Sequence, residues 1–425
     1  MGYYNTGTVT VANGATAVVG VGTNFSAYVQ AGDMFTAAGM GVRVASVTDA
    51  THLALAYGWP GTGLNGAPYE VQIMPSGSSL AASVRSVLDG LQSGALQNVS
   101  GGALLKADPS TPMFYKTGAG TISVKAGSVI GLNASTFTFS MDTAVQMPSL
   151  SAGTDYAVYM CSDGNLHADA NFSYPTGFSP ATSRQIGGFH YAPGGNAAAQ
   201  AGGDTTPAIN PYSIWDLKFR PLAPDPRGMA LILNRFWSDI YLCNITPEAN
   251  GTSRYNMTIA DGSSPPKKPT AFGGDGNAAY GSFTWWEAAE VMSAAGKQLL
   301  AYDEFAAAMY GTTEGSSGGT DPGSTILRAA YTSKFGIMLA SGNTWVWGRD
   351  FSYWPGSNGA GWKDNAGARG QLYLANDQGL VAALFGGDWD NGGNAGSRSS
   401  DWIYYPWGSS SNIGARGRCD HLRLV

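Results

Sequence analysis

Gly386-Gly387-Asp388-Trp389-Asp390-Asn391-Gly392-Gly393-Asn394, then Asp401-Trp402-Ile403-Tyr404-Tyr405-Pro406-Trp407-Gly408, then Ser410-Ser411-Asn412-Ile413-Gly414-Ala415-Arg416-Gly417-Arg418-Cys419-Asp420-His421-Leu422 form the stretch that organises this chain. In steps of two, Asp388, Asp390, Gly392 and Asn394 fall on one face of an extended segment, with Trp389 on the other. Asp401 and Ile403 share a face, with Trp402 opposite, and Gly408, Ser410 and Asn412 repeat the spacing. A strand alternates its side chains between two faces. This reading makes Trp389 and Trp402 core anchors beneath a display surface of short, chemically mixed side chains.

Working outward, 425 residues are enough for two to four domains. Hydrophobic residues make up 44%, ample for cores, whereas charged residues are 12%, about half the usual share. Sixty glycines with little helical periodicity favour short strands and many turns. The net charge of −6, without a basic run, excludes a nucleic-acid grip. No apolar stretch reaches the ~18 residues of a membrane helix, so membrane insertion is not expected. Cys161, Cys243 and Cys419 are odd in number and far apart, which argues for buried free thiols and assembly in a reducing cytoplasm.

The chain reads as mainly β, with an α+β domain at its C-terminus. Residues 1–76 alternate as strands at Thr8–Val11, Val42–Val47 and His52–Leu55, punctuated by Asn13-Gly14 and a Gly/Pro-rich run. Residues 77–103 hold a helical linker. There Leu80, Val84, Val87 and Leu91 make a short heptad seam, suited either to a threefold stalk or to packing on its own chain. Residues 104–213 form a second β domain, a β-sandwich, with strands at 121–125, 136–139 and 156–160 and a hairpin turn at 162–165. The patternless run 192–209 is expected as a long surface loop, placed to wrap a neighbouring subunit. Residues 214–425 shift to aromatics, with helices at 285–292 and 301–305 and strands from Trp345 onward. Two helices followed by short strands and long loops is the layout of a C-type-lectin-like fold.

Several of these residues also carry a resemblance. Gly386-Gly387-x-Trp389, Gly396-Ser397-Arg398, Trp402, Pro406 and Gly414-Ala415-Arg416-Gly417 through Leu422 resemble the variable region of the major tropism determinant family. These are receptor-binding proteins at the tail-fibre tips of phages that carry a diversity-generating retroelement. The likeness runs back to about Leu104 through Gly187-Gly188-Phe189-His190-Tyr191, Lys218-Phe219-Arg220-Pro221 and Asp225-Pro226-Arg227-Gly228-Met229. Residues 1 to about 100 lie outside it and are similar, less specifically, to β modules of tail-fibre N-termini.

The resemblance implies a C-type-lectin fold, a homotrimer at the distal tail fibre of a virion, and a bacterial outer-membrane or surface protein as receptor. The separate, less specific likeness of residues 1–76 to tail-fibre N-termini implies attachment to tail-fibre or baseplate proteins through that module. The variable positions it implies are Asp388, Asp390, Gly392, Asn394, Asp401, Ile403, Tyr404, Gly408, Ser410, Asn412 and Ile413. Tyr405 and Trp407, large where the family has small residues, would either add contacts or fill space beneath the face. A diversified binding protein of a prophage or cell, whose ligand is not a host receptor, is the alternative.

No constellation points to catalysis. Cys419 has no nearby second thiol for formylglycine-type oxidation. None of the four histidines sits in a nucleophile or metal-ligand context. Asp420-His421 reads as a hydrogen-bonded structural pair. Trp389-Asp390-Asn391 only echoes the calcium-lectin motif, whose upstream loop is missing. Arg398 and Arg416 are expected as buried guanidiniums pinning loops. Asp275, and Asp388 with Asp390, have oxygen donors suited to a hard cation. Turn geometry accounts for both, so no cofactor is expected and a structural divalent cation is left open.

Overall fold

The computed structural model describes residues 3–73, 102–353, 361–363, 372–374 and 379–424. The helix expected over 77–93 lies outside the described residues. The chain divides into two compact units, Met1–Gln97 and Asn98–Val425.

In the first unit eight strands pair in the order Tyr3–Tyr4, Glu70–Gln72, Met34–Ala37, Met40–Val47, His52–Leu55, Ala17–Val21, Thr8–Val11 and Leu64–Ala67. Alternation in the sequence becomes alternation in burial. Val9 and Val11 point inward from one strand, Val42 and Val44 from another, and Leu53 and Leu55 from a third. Phe35 and Trp59 meet edge to face in this core at 5.8 Å. The Trp59 indole N–H is satisfied by the Thr62 carbonyl at 3.0 Å.

The second unit begins with two three-stranded sheets. One joins Phe114–Gly118, Thr121–Val124 and Thr143–Ala144; the other joins Ser135–Phe139, Ser128–Leu132 and Leu104–Leu105. Their inward residues, including Phe114, Ile122, Ile130 and Phe139, share a core with Tyr156, Val158 and Met160 of the strand Thr154–Cys161. The opposite face of that strand is also covered, because Ala157, Tyr159 and Cys161 pack against Phe172 and Phe178. Burial on both faces explains its unbroken apolar run.

That strand belongs to a ten-stranded sheet. Its main path runs Leu166–Asp169, Thr154–Cys161, Ser183–Ala192, Trp215–Asp216, Phe219–Pro221, Gly417–Arg423, Phe236–Asp239 and Met229–Ile232. The C-terminal strand Gly417–Arg423 lies between two earlier strands and makes the sheet continuous. The run 193–207 lies on its own chain. The Ala197 amide donates to the Ser333 carbonyl at 3.1 Å, Gly202 to Gly311 at 2.9 Å and Gly203 to Ala329 at 2.8 Å. Its glycines permit this close approach: a Cβ at Gly202 would stand 2.5 Å from the backbone of Ala330. The patternless run expected at 192–209 is thus held against residues 311–334 of its own chain, with Ala192 and Ala208–Ile209 paired in the sheet.

A second, four-stranded sheet orders Ser400–Asp401, Leu380–Phe385, Trp345–Tyr353 and Ile413–Gly414, the last pair parallel. Alternate residues feed two cores. Val346, Ala383 and Phe385 pack with Phe305, Ala308 and Met309 of the helix Tyr302–Met309. Trp347, Ala382, Leu384 and Ile413 pack with Ala288, Val291 and Met292 of the helix Trp285–Ala294. Thr284 and Glu287 form a capping box that starts the latter helix. A sheet held between two helices is the platform for the candidate site.

Candidate functional site: two loops on a pinned platform

Residues 388–412 are mostly turns and irregular loop, with an isolated bridge from Asp388 to Asn343, one short 3-10 segment, Gly392–Asn394, and the two-residue strand Ser400–Asp401. The two-face alternation expected for this stretch therefore fails. Its runs are too short and too rich in Gly, Asn and Asp, whose side chains satisfy the backbone locally. Asp388 is the hinge of the arrangement. It is 6% exposed, accepts from the Asp390 amide at 3.0 Å, and accepts from the Asn412 side chain. That bond ties the loop at 388–394 to the loop at 401–412. Asn391 accepts from the Asp388 amide at 2.7 Å. Ser317 Oγ donates to the Trp389 carbonyl at 2.7 Å and accepts from the Gly392 amide at 3.0 Å.

Around this hinge the side chains divide. Asp390, Gly392 and Asn394 are exposed on the first loop, and Ile403 is 63% exposed on the second. Asp401, Tyr404, Ser410 and Asn412 are half-buried. Asp388, Gly408 and Ile413, expected on display, are buried. Ile413 is 1% exposed because it is a strand residue in the core with Trp347. Trp389 is half-buried, and Trp402 is 37% exposed, its indole N–H donating to Ser400 Oγ at 2.9 Å. Neither tryptophan is a core anchor. Five of the seven residues in Trp402-Ile403-Tyr404-Tyr405-Pro406-Trp407-Gly408 are large and apolar, and a surface turn cannot bury them all. That consecutive run was the signal for exposed aromatic surface, and it contradicts strict alternation.

Three rings stand in a stack. Tyr405 lies between Tyr404, at 5.1 Å and 10°, and Trp407, at 5.3 Å and 29°. Tyr404 in turn meets the buried Trp347 edge-on at 5.8 Å. Burial, with Tyr405 and Asp401 nearby, pushes the Tyr404 phenol above its usual value, which keeps that ring neutral at physiological pH. Tyr405 remains exposed and Trp407 half-buried, so these rings both enlarge the surface and support it.

Beneath the loops, Arg416 is fully buried as expected. It donates to the carbonyls of Asp239, Ile240, Met338 and Leu339 at 3.1, 2.7, 2.8 and 3.2 Å. Burial lowers its guanidinium to about 9, which leaves it charged at neutral pH. Arg398 is instead exposed, and Tyr302 donates to its carbonyl at 3.1 Å. Asp420 and His421 do not pair with each other. Asp420 takes the Arg418 guanidinium, and His421 Nδ1 accepts from the Trp237 indole at 3.0 Å. Asp275 accepts from the amides of Asn277 and Ala278, closing a turn. Among the described residues no three His, Cys, Asp or Glu side chains converge as a metal-ligand set.

Residues 112–216 match the family described as the Mtd second domain. The chain is 52% identical, over 332 residues, to the tail fiber receptor-binding protein of Bordetella phage BPP-1, covering 76% of this chain and 85% of that one. It belongs to the major tropism determinant family. Solved structures of the Major Tropism Determinant U1, I1 and M1 variants each superpose with a TM-score of 0.72 at 52% identity. Each alignment covers 76% of this chain and 86% of the other. The family shares the mainly β, many-sheeted architecture described above.

Proposed function

We propose that this chain is the receptor-binding protein of a phage tail fibre and sets host tropism by gripping a bacterial surface protein. The face assigned to the receptor comprises Asp390, Gly392, Asn394, Asp401, Ile403, Tyr404, Ser410 and Asn412, with Trp402, Tyr405 and Trp407. One observation carries this reading. Two polar and aromatic loops are joined at Asp388–Asn412 and stand on a sheet clamped between helices, so their side chains are free to differ while the platform stays fixed. Rigid aromatic area at low entropy cost, rimmed by short polar groups, suits protein recognition.

In this proposal residues 214–425 have a C-type-lectin-like fold, and the family relatives are named for binding rather than for catalysis. The protein acts as a homotrimer at the distal tail fibre, which multiplies weak single-site contacts by ~10²–10⁴ in avidity. Residues 1–76 attach it to the virion. The test is competition: purified protein should block phage adsorption to its host, and Tyr405→Ala should block it poorly. Equal blocking by parent and by alanine variants at Asp390, Ile403 and Tyr405 would sink the site. Sedimentation equilibrium at the 44.1 kDa mass of one chain would sink the trimer.

A further inference from the structure

Gly408 closes the turn Tyr405-Pro406-Trp407-Gly408, its amide donating to the Tyr405 carbonyl at 3.0 Å. Proline second and glycine fourth suit a tight turn. The geometry demands more of this position. A Cβ on residue 408 would stand 2.5 Å from Tyr404 Cε1 and 2.9 Å from Tyr405 Cε2. Such distances cannot persist, so either the backbone or the rings must give way.

The backbone around the turn is held from four sides. Ala382 donates to the Tyr404 carbonyl at 2.9 Å, and Trp285 donates to the Pro406 carbonyl at 3.0 Å. Phe283 donates to Ser409 Oγ at 2.9 Å, and Gly262 donates to the Ser410 carbonyl at 2.9 Å. All four donors belong to the platform or to segments packed on it. Tyr404 also cannot retreat inward. The edge of Trp347 fills that side, and the Trp347 indole is itself fixed to the Phe283 carbonyl at 3.1 Å. The remaining freedom is outward, through Tyr405 and Trp407.

We propose that side-chain size at residue 408 sets the conformation of the Tyr404–Tyr405–Trp407 stack, and through it the shape of the receptor face. Gly408 is thus a specificity-determining position that touches no receptor. Any larger residue opens the stack and changes recognition indirectly. The link to recognition rests on the function proposed above; the control of the stack does not.

The test uses the full chain carrying Gly408→Ala, Gly408→Ser, Tyr405→Ala, or Tyr405→Ala with Gly408→Ala. Near-ultraviolet circular dichroism reports ring coupling, and thermal melting reports folding. Expected is a near-ultraviolet band from Gly408→Ala and Gly408→Ser that approaches that of Tyr405→Ala, with a cooperative melt retained. Adding Gly408→Ala to Tyr405→Ala should change nothing further, because Tyr404 then has the vacated space. Adsorption competition should weaken about tenfold in Gly408→Ala, as expected for moving a central aromatic contact. An unchanged ring spectrum in Gly408→Ala overturns the proposal, whatever adsorption does. An altered spectrum with parental adsorption overturns the role in recognition. If Tyr405→Ala, Ile403→Ala and Asp390→Ala also adsorb normally, it is the assigned face that has failed.

Discussion

Residues 388–412 and residues 413–423 are neighbours in sequence and opposites in construction. The first stretch holds its backbone through Asp388 and Asn391 within the loop and through distant segments, Ser317 at Gly392 and Trp285 at Pro406 among them. Its largest side chains stand partly in solvent. The second stretch runs through the core. Ile413 and Ala415 are buried with Trp347, Arg416 holds four carbonyls, and Gly417–Arg423 completes the ten-stranded sheet. The chain therefore ends by tying down what it has just displayed. A surface whose backbone is anchored to the platform can change its outward side chains residue by residue, provided the strand that follows it does not.

The sharpest way to break this contrast is Arg416→Met. Methionine fills similar space but removes the guanidinium from the carbonyls of Asp239, Ile240, Met338 and Leu339, of which Ile240 keeps the Met338 amide at 2.9 Å and Asp239 the Ser238 hydroxyl at 3.4 Å. Each stranded acceptor that finds no water costs about 1–3 kcal/mol. The sum is a large share of the ~5–15 kcal/mol by which domains are stable. Denaturant titration followed by tryptophan fluorescence should show a greatly lowered midpoint. A parental midpoint would mean that the terminal strand does not hold the platform.

The second test concerns the buried Asp155. Burial opposes its ionisation. His190 at 3.0 Å, Arg254 at 2.6 Å and the Gly228 amide at 2.8 Å outweigh that opposition and hold its pKa below the usual range. A carboxylate with a depressed folded pKa adds stability above its unfolded value near ~4, and that stability is lost as pH falls through the folded value. Asp155→Asn should cost about 3–5 kcal/mol at neutral pH, since it strands buried charge. It should also flatten the loss of stability below about pH 4. A variant whose acid limb matches the parent would show that Asp155 carries none of it.

Where the sequence was legible, period and burial agreed. Val9 and Val11, or Leu53 and Leu55, sit in strands with one inward face, so alternation located them. The helices read at 285–292 and 301–305 form as Trp285–Ala294 and Tyr302–Met309, each with an acid in its first turn. The stretch proposed as the site was misread in its faces. Trp402 looked like core because alternation set it opposite Asp401 and Ile403, yet the run that follows it is also large and no strand could bury it all. Ile413 looked like display because the variable pattern reaches it, yet it is the first residue of a core strand. Contacts across long separations, such as Arg416 on Met338 or Asp388 on Asn412, leave no periodic trace at all.

Asp388 sharpens the boundary between the two regions. It belongs to the loop by sequence and to the platform by burial. Asp388→Ala removes the acceptor for the Asp390 amide and for Asn412. Hydrogen bonds to a charged group are worth about 1.5–3 kcal/mol, so a loss of ~2 kcal/mol is expected. Asn412→Ala should lose less, because Asp388 would keep the Asp390 amide. Purified variants compared by melting should separate in that order. Equal melting of parent and Asp388→Ala would place Asp388 with the displayed residues after all.

The smallest expected change in stability decides most about the face. Asp390 is exposed, its carboxylate lies beyond the Asp388–Asn412 tie, and only its backbone amide takes part in the loop. Exposed substitutions of this kind shift stability by no more than ~0.5 kcal/mol. Asp390→Ala should therefore melt with the parent, and Trp402→Ala nearly so, since its ring is more than a third in solvent, meets Tyr302 and Phe385 at centroid separations of 6.2 and 6.3 Å, and bonds only to the nearby Ser400 hydroxyl among the described residues. Adsorption should respond differently. A central side chain in a protein interface is worth about 2 kcal/mol on truncation, and an exposed tryptophan beside Ile403 is the better candidate than the carboxylate. Trp402→Ala should weaken adsorption competition by more than tenfold while Asp390→Ala weakens it less, both without a change in melting. If Trp402→Ala instead melts several degrees early and adsorbs normally, Trp402 is platform rather than face, and the division drawn at Asp388 has been placed on the wrong side of it.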